Sequence, residues 1–181
     1  NNKGIQKTEQ YPEITSLSKF IKPKSCVLDG EIIVYKDGLP DFQTLMKRDH
    51  ASSKLTAEIR AQKFPATYVV FDILEKDGKS LLSLPLTERR KILSESIVEN
   101  ENFELVFSTE NGQALWKEVQ KRKLEGVIAK KADSIYNPGQ RTWDWVKIKN
   151  LNTVDVIIVG YTTKKRHISS LAMALYKKNK L

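Results

Sequence analysis

The sequence predicts an α+β domain built mainly on antiparallel sheets, followed by the opening of a second, strand-rich unit. Two observations carry that expectation. Period-two and period-3.6 apolar patterns occur in mixed order along the 181 residues, without the strict strand–helix alternation of a parallel sheet. The first two strand patterns each end in a Lys-Asp-Gly turn signal, at Lys36-Asp37-Gly38 and Lys76-Asp77-Gly78. Hydrophobic residues make up 40% of the chain, enough for a packed core. No apolar run approaches the roughly 18 residues that a membrane-spanning helix needs.

Taken in order, residues 26–35 read as a strand, and residues 66–74 as a second one rich in β-branched and aromatic side chains. Residues 85–98 predict a helix with Thr87 as its cap and Leu86, Leu93 and Ile97 on one face. Residues 112–124 predict another, with Leu115 and Val119 spaced i, i+4. Short strands are expected at 126–129, 143–149, 154–161 and 171–176, and the Asn137-Pro138-Gly139 segment makes 132–142 a loop. From Val154 onward the chain is strand-rich and basic, the pattern of a small β-barrel of which too few residues remain for five strands.

The charge is uneven. Thirty-one Lys and Arg stand against 22 Asp and Glu, a net of +9. Nine of the basic residues fall between Arg141 and Leu181, where only Asp144 and Asp155 oppose them. A mixed surface that ends basic suits a polyanion met by one region, such as nucleic acid, although a basic end can also serve solubility alone. Cys26 is the sole cysteine, so an internal disulfide is excluded and a reducing compartment is expected. Its side chain is expected to be a small buried filler beside a strand.

Polar residues interrupt the apolar strands in a patterned way. Alternation puts Asp29 and Glu31 on one face of the first strand, with Leu28, Ile32 and Val34 on the other. Two carboxylates so close repel each other, which a metal or polar ligand would relieve; a solvated face is the alternative. In Trp145-Val146-Lys147-Ile148-Lys149 the two lysines share a face about 7 Å apart, a spacing suited to a phosphate chain and equally to a solvated strand. Glu125 stands at the entry of an apolar strand beside Gly126, as a metal ligand or a solvated end. Phe71 could stack on a base or fill the core.

These stretches also occur in a telling order. Leu28-Asp29-Gly30-Glu31, Val70-Phe71-Asp72, Glu125-Gly126-Val127-Ile128-Ala129-Lys130 and Trp145-Val146-Lys147-Ile148-Lys149 resemble motifs III, IIIa, IV and V of the covalent nucleotidyltransferases. That superfamily comprises DNA ligases, RNA ligases and capping enzymes. Tyr11-Pro12-Glu13-Ile14, Leu84-Pro85-Leu86-Thr87-Glu88-Arg89-Arg90, Tyr136-Asn137-Pro138-Gly139-Gln140-Arg141 and Val159-Gly160-Tyr161-Thr162 are similar to segments of ATP-dependent DNA ligases. The likeness is strongest to the ligase domain of prokaryotic end-joining enzymes and runs to about Thr163.

The resemblance implies a nucleotidyltransferase (ATP-grasp-like) fold over residues 1–150 and the opening of an OB-fold barrel over 151–181. It implies ATP and Mg²⁺ or Mn²⁺ as cofactors and nicked or broken double-stranded DNA as partner. End-joining proteins or fused polymerase and nuclease domains would be further partners, in a cytoplasmic, nucleoid-associated setting without a membrane. By motif, Glu31 would contact the ribose, Asp29 would support that site or its metal, and Phe71 would stack on the adenine. Glu125 would help hold the metal, Lys147 and Lys149 would grip the α-phosphate, and Arg141 would reach a phosphate. The family's nucleophile lies in a Lys-x-Asp-Gly motif upstream of Tyr11. Both Lys-Asp-Gly turns lack the intervening residue, so the chain alone is expected not to adenylate itself. A non-catalytic nucleotide- or nucleic-acid-binding module derived from a ligase, and an RNA ligase or capping-type enzyme, remain open alternatives.

Overall fold

The computed structural model describes residues 4–151, 153–164 and 167–175. They divide into two compact units, Asn1–Gly112 with Ile128–Lys147, and Gln113–Val127 with Ile148–Leu181. In the first unit a short helix α1 (Pro12–Thr15), flanked by 3-10 turns, precedes strand β1 (Cys26–Lys36). The chain continues through β2 (Leu39–Pro40), α2 (Phe42–Asp49), α3 (Lys54–Lys63), β3 (Ala66–Lys76), β4 (Lys79–Ser80), α4 (Leu86–Ser96) and β5 (Phe103–Leu105). These strands form one sheet in the order β2-β1-β3-β4, with β5 added parallel to β3 and the other pairs antiparallel. The α+β, mainly antiparallel class read from the sequence is therefore the class observed.

Both Lys-Asp-Gly segments are hairpin turns. Asp37 and Gly38 have φ of 53° and 75°, and Asp77 and Gly78 have 50° and 76°. Two successive positive φ values make the tight turn whose twist matches the strands it joins. The second turn is anchored as well: Asp77 Oδ1 accepts the Lys24 and Ser25 N–H groups at 2.8 and 3.2 Å.

Two buried clusters back the sheet. One gathers Leu17, Val70, Ile73, Leu81, Leu93, Ile97 and Phe103, and the other Tyr11, Val34 and Ala66. Strand β1 feeds both, Leu28 packing on the first and Ile32 and Val34 on the second, with a register irregularity between Asp29 and Gly30 where it passes from one to the other. Cys26 is half-buried against the first cluster rather than buried as expected, because it is the first residue of β1, paired with Lys76 at the end of the ladder.

Helices α2 and α3 were not foreseen from apolar periodicity. Their caps explain them: Asp41 Oδ1 accepts the Thr44 N–H at 2.7 Å, and the Ser53 hydroxyl oxygen accepts that of Thr56 at 3.2 Å. Helix α4 starts one residue later than expected, and Thr87 does not cap it. The N–H groups of Leu86 and Thr87 are instead taken by the carbonyls of Ser134 and Ala132, at 2.9 and 3.1 Å, so the 131–136 loop is the cap.

In the second unit α5 (Gly112–Lys121) ends before residue 124, with Lys123 at φ 55°. The Leu124 N–H bonds the Val119 carbonyl at 3.0 Å and the Lys123 N–H that of Gln120 at 3.2 Å, a Schellman stop that only a left-handed residue can close. Strands β6 (Gly126–Lys130) and β7 (Trp145–Lys149) pair with each other, and β8 (Ile157–Lys164) with β9 (His167–Ala174). β8 lies three residues later than the expected 154–161, and β9 starts four residues and ends two residues earlier than the expected 171–176, because the register that closes their hairpin pairs Lys164 with His167. The expected end at Tyr176, and Lys165, Arg166, Lys177, Lys178 and Lys180 of the basic end, lie outside the described residues. Gly126 has φ 153°, and a Cβ there would meet the Ile148 carbonyl oxygen at 2.1 Å, which lets β6 and β7 approach at this point only with glycine.

Candidate active site

The site begins with a fully buried ion pair. Asp72 on β3 and Arg89 on α4 are both completely excluded from solvent and meet in two bonds, Nε to Oδ1 at 2.8 Å and Nη2 to Oδ2 at 2.9 Å. Such a pair survives burial only when the remaining donors are also satisfied. Arg89 Nη1 meets that condition by donating to the Leu84 and Ser134 carbonyls at 2.6 and 3.0 Å. Strand, helix and the loop after β6 are thereby locked together.

Tyr136 follows from that lock. Its ring lies over the Arg89 guanidinium at 5.7 Å and takes the edge of Trp145 at 5.5 Å. Its hydroxyl donates to Asp29 Oδ2 at 2.6 Å, which joins the loop to β1. Burial, reinforced by the Asp29 carboxylate, pushes the hydroxyl's pKa well above the ordinary tyrosine value, so it remains a donor.

Lys130, the last residue of β6, completes the cluster. Its ammonium sits over the Trp145 ring at 3.7 Å and the Phe71 ring at 4.6 Å. Burial lowers its pKa to about 8 although Asp72 and Asp29 favour the charged form. A partly desolvated cation between two ring faces and near two carboxylates marks a candidate functional site.

Of the residues singled out from sequence, Asp29 and Phe71 are brought into this cluster. Phe71 is half-buried and belongs to neither apolar cluster, so the core-filling alternative is not the one observed. Glu31 is exposed, two residues along β1, and Arg141 is exposed in the loop that carries Tyr136. Lys147 lies two residues after Trp145 on β7. Glu125 and Lys149 belong to the second unit, where the Asn150 N–H donates to the Glu125 carbonyl at 2.8 Å. Strand β7 starts at Trp145 and not at residue 143; Trp143 is 95% exposed, the last bond to β6 being that between the Lys131 N–H and the Asp144 carbonyl. The expected apolar face of β7 is not covered, Val146 and Ile148 being 42% and 43% exposed.

Lys130, Tyr136, Asp72 and Arg89 were not assigned roles from the sequence. One signal was available. Arg89 falls on the apolar face of α4, in step with Leu86, Leu93 and Ile97, and a buried guanidinium demands a buried acid, which Asp72 in an otherwise apolar strand supplies. Tyr136 and Lys130 fall inside stretches that carry the family resemblance, but periodicity gave them no role, because that role lies in distances between segments far apart in the chain.

Among the described residues no three His, Cys, Asp or Glu side chains gather to hold a metal. That donor set does not suit a fully protein-bound ion. A divalent cation that keeps water and substrate phosphate oxygens needs only one or two carboxylates, and Asp29 offers one.

The family model described as ATP dependent DNA ligase domain matches residues 3–149. The SPbeta prophage-derived DNA ligase-like protein LigB of Bacillus subtilis (strain 168) is 36% identical over 159 residues, which cover 87% of this chain and 55% of that protein. The multifunctional non-homologous end joining protein LigD of Mycolicibacterium smegmatis is 33% identical over 162 residues, 87% of this chain and 19% of that one. The crystal structure of the ligase domain from M. tuberculosis LigD superposes with a TM-score of 0.62 at 28% identity, covering 94% of this chain and 53% of that domain. The chain thus spans about half the length, or less, of these relatives.

Proposed function

The chain belongs to the ATP-dependent DNA ligase domain family, and from that premise we propose that it is the nucleotide-holding part of a ligase whose lysine nucleophile lies in a Lys-x-Asp-Gly motif outside these residues. In the complete protein the lysine nitrogen attacks the α-phosphorus of ATP and pyrophosphate leaves. A 5′-phosphate oxygen of nicked or broken DNA then displaces the lysine from AMP. Finally the 3′-hydroxyl attacks the activated phosphorus, AMP departs and the strand is sealed.

Each step transfers a charged phosphorus centre, so the protein contributes alignment and charge neutralisation. Phe71 stacks on the adenine and Glu31 holds the ribose. Lys147, Lys149 and Arg141 hold the phosphates. Asp29 would support the divalent metal, and Glu125, by its motif, would be a further ligand for it; when bound the metal would neutralise phosphate charge. In this reading residues 1–150 form the adenylation domain, and the β8–β9 hairpin opens an OB-fold, residues 151–181, that bears on DNA. The observation that carries the reading is the Phe71 ring, kept out of both cores and facing a cation held beside Asp29.

The test is radiolabel transfer from α-labelled ATP. The 181-residue chain should bind ATP reversibly and acquire no stable label, whereas the longer protein bearing the Lys-x-Asp-Gly motif should be labelled. Stable label on this chain alone would overturn the assignment of the nucleophile. Phe71→Ala should weaken ATP binding by about 1–3 kcal/mol if stacking resembles that on nucleic-acid bases. In the longer protein Glu125→Ala and Lys147→Ala should abolish most sealing of nicked DNA while leaving the circular dichroism spectrum unchanged. Preference for nicked RNA, or for GTP over ATP, would favour an RNA ligase or capping-type enzyme instead.

A further inference from the structure

Asp29 is a proposed pocket carboxylate whose position is set by another side chain. Among the described residues its side chain makes a single hydrogen bond, from the Tyr136 hydroxyl to Oδ2 at 2.6 Å, which leaves Oδ1 for a ligand. Tyr136 is itself held from every side. Its N–H donates to the Leu82 carbonyl at 2.9 Å, its ring is bounded by Arg89 and Trp145, and Arg89 is fixed by Asp72 and by the carbonyls of Leu84 and Ser134. Two residues before it, Ser134 caps α4 through its carbonyl. With its ring so restrained, the hydroxyl oxygen is held 2.6 Å from Asp29 Oδ2, to which it donates.

We propose that Tyr136 is a positioning residue: it fixes the Asp29 carboxylate so that Oδ1 faces the metal-bound phosphate end of the nucleotide. The proposal rests on the reading of Asp29 and Phe71 as parts of a nucleotide pocket. Tyr136 touches no reacting atom and acts only through Asp29. Removing its hydroxyl frees Asp29 to rotate, which loosens its hold on Mg²⁺ without touching the face that receives the base.

The experiment measures ATP affinity of the 181-residue chain by calorimetry, with saturating Mg²⁺ and with EDTA, for the wild type, Tyr136→Phe, Asp29→Asn, the double variant and Phe71→Ala. Tyr136→Phe should lower affinity about 5- to 20-fold with Mg²⁺ and leave it unchanged in EDTA, with an unaltered Tm. In the Asp29→Asn background the same replacement should have no further effect. A Tyr136→Phe loss equal with and without Mg²⁺, or one that persists in the Asp29→Asn background, overturns the proposal and makes Tyr136 a merely structural residue. So does the absence of any loss. Phe71→Ala separates the two levels. If it weakens ATP binding while Tyr136→Phe does not, the pocket stands and this inference falls; if the wild type binds no ATP, or Phe71→Ala binds as well as the wild type, the pocket reading falls and takes the inference with it.

Discussion

Lys130 shows how far one residue's chemistry depends on its surroundings. An ordinary lysine titrates near 10.5, but burial between Phe71 and Trp145 brings this one to about 8. Between those values the unfolded chain carries a proton that the folded chain has lost, so this group makes stability rise with pH from about 8 upward. Tyr11 and Tyr68, whose hydroxyls burial raises to about 12, act in the opposite sense above pH 10, because there the folded state retains protons that the unfolded state releases. Burial also raises the Cys26 thiol above its usual 9, which opposes the gain from there, so the rise from Lys130 is clearest between about pH 8 and 9. Carbon-13 labelled lysine should show one Cε resonance with a midpoint near 8, lost in Lys130→Met, and denaturant unfolding of that variant should lack the rise seen for the wild type. A lysine spectrum in which every midpoint lies near 10.5 would contradict the assignment.

At the scale of elements, two buried arginines tie the first unit together. Arg48 on α2 bonds both Glu13 oxygens at 2.7 and 2.9 Å and the carbonyls of Phe64 and Gln10, so it joins α1 to the entry of β3. Arg89 does the same for β3, α4 and the 131–136 loop. Arg89→Ala would strand the Asp72 carboxylate in the interior, and chemical denaturation should show a loss of about 3–5 kcal/mol. Replacing both partners with Met and Leu should cost far less, since no charge is then left unpaired. The stop of α5 makes a prediction of opposite sign. Lys123 holds φ 55° with a side chain that gains nothing from it, so Lys123→Gly should stabilise the chain by about 0.5–1 kcal/mol in the same assay. These elements were unequally legible. Strands β1 and β3 and the Lys-Asp-Gly turns follow from local pattern and turn chemistry, whereas α2 and α3 required attention to their caps, Asp41 and Ser53, over weak apolar periodicity.

For the whole molecule, a net charge of +9 with its excess after Arg141 predicts a polyanion response. Binding to a nicked duplex should weaken about 10- to 100-fold between roughly 50 and 200 mM salt, the change expected when about two to four phosphates are neutralised. Fluorescence anisotropy across that range checks it, and a flat response would remove DNA contact from this chain's role. No helix among the described residues is long and apolar enough to cross a membrane.

By itself the sequence determined the class of fold, the order of the motifs and the polar residues that interrupt apolar strands, because alternation, turn chemistry and motif order are local properties of a chain. It singled out Asp29 as a polar interruption of an apolar strand and left Phe71 open between a base and the core. Only the tertiary structure decided that Lys130 lies on Phe71, that Tyr136 reaches Asp29 across 107 positions, and that a loop rather than Thr87 caps α4. The physical reason is common to all three. Each depends on the Asp72–Arg89 pair drawing a strand, a helix and a distant loop to one point, and a pairing between remote segments leaves no periodicity in the chain to read.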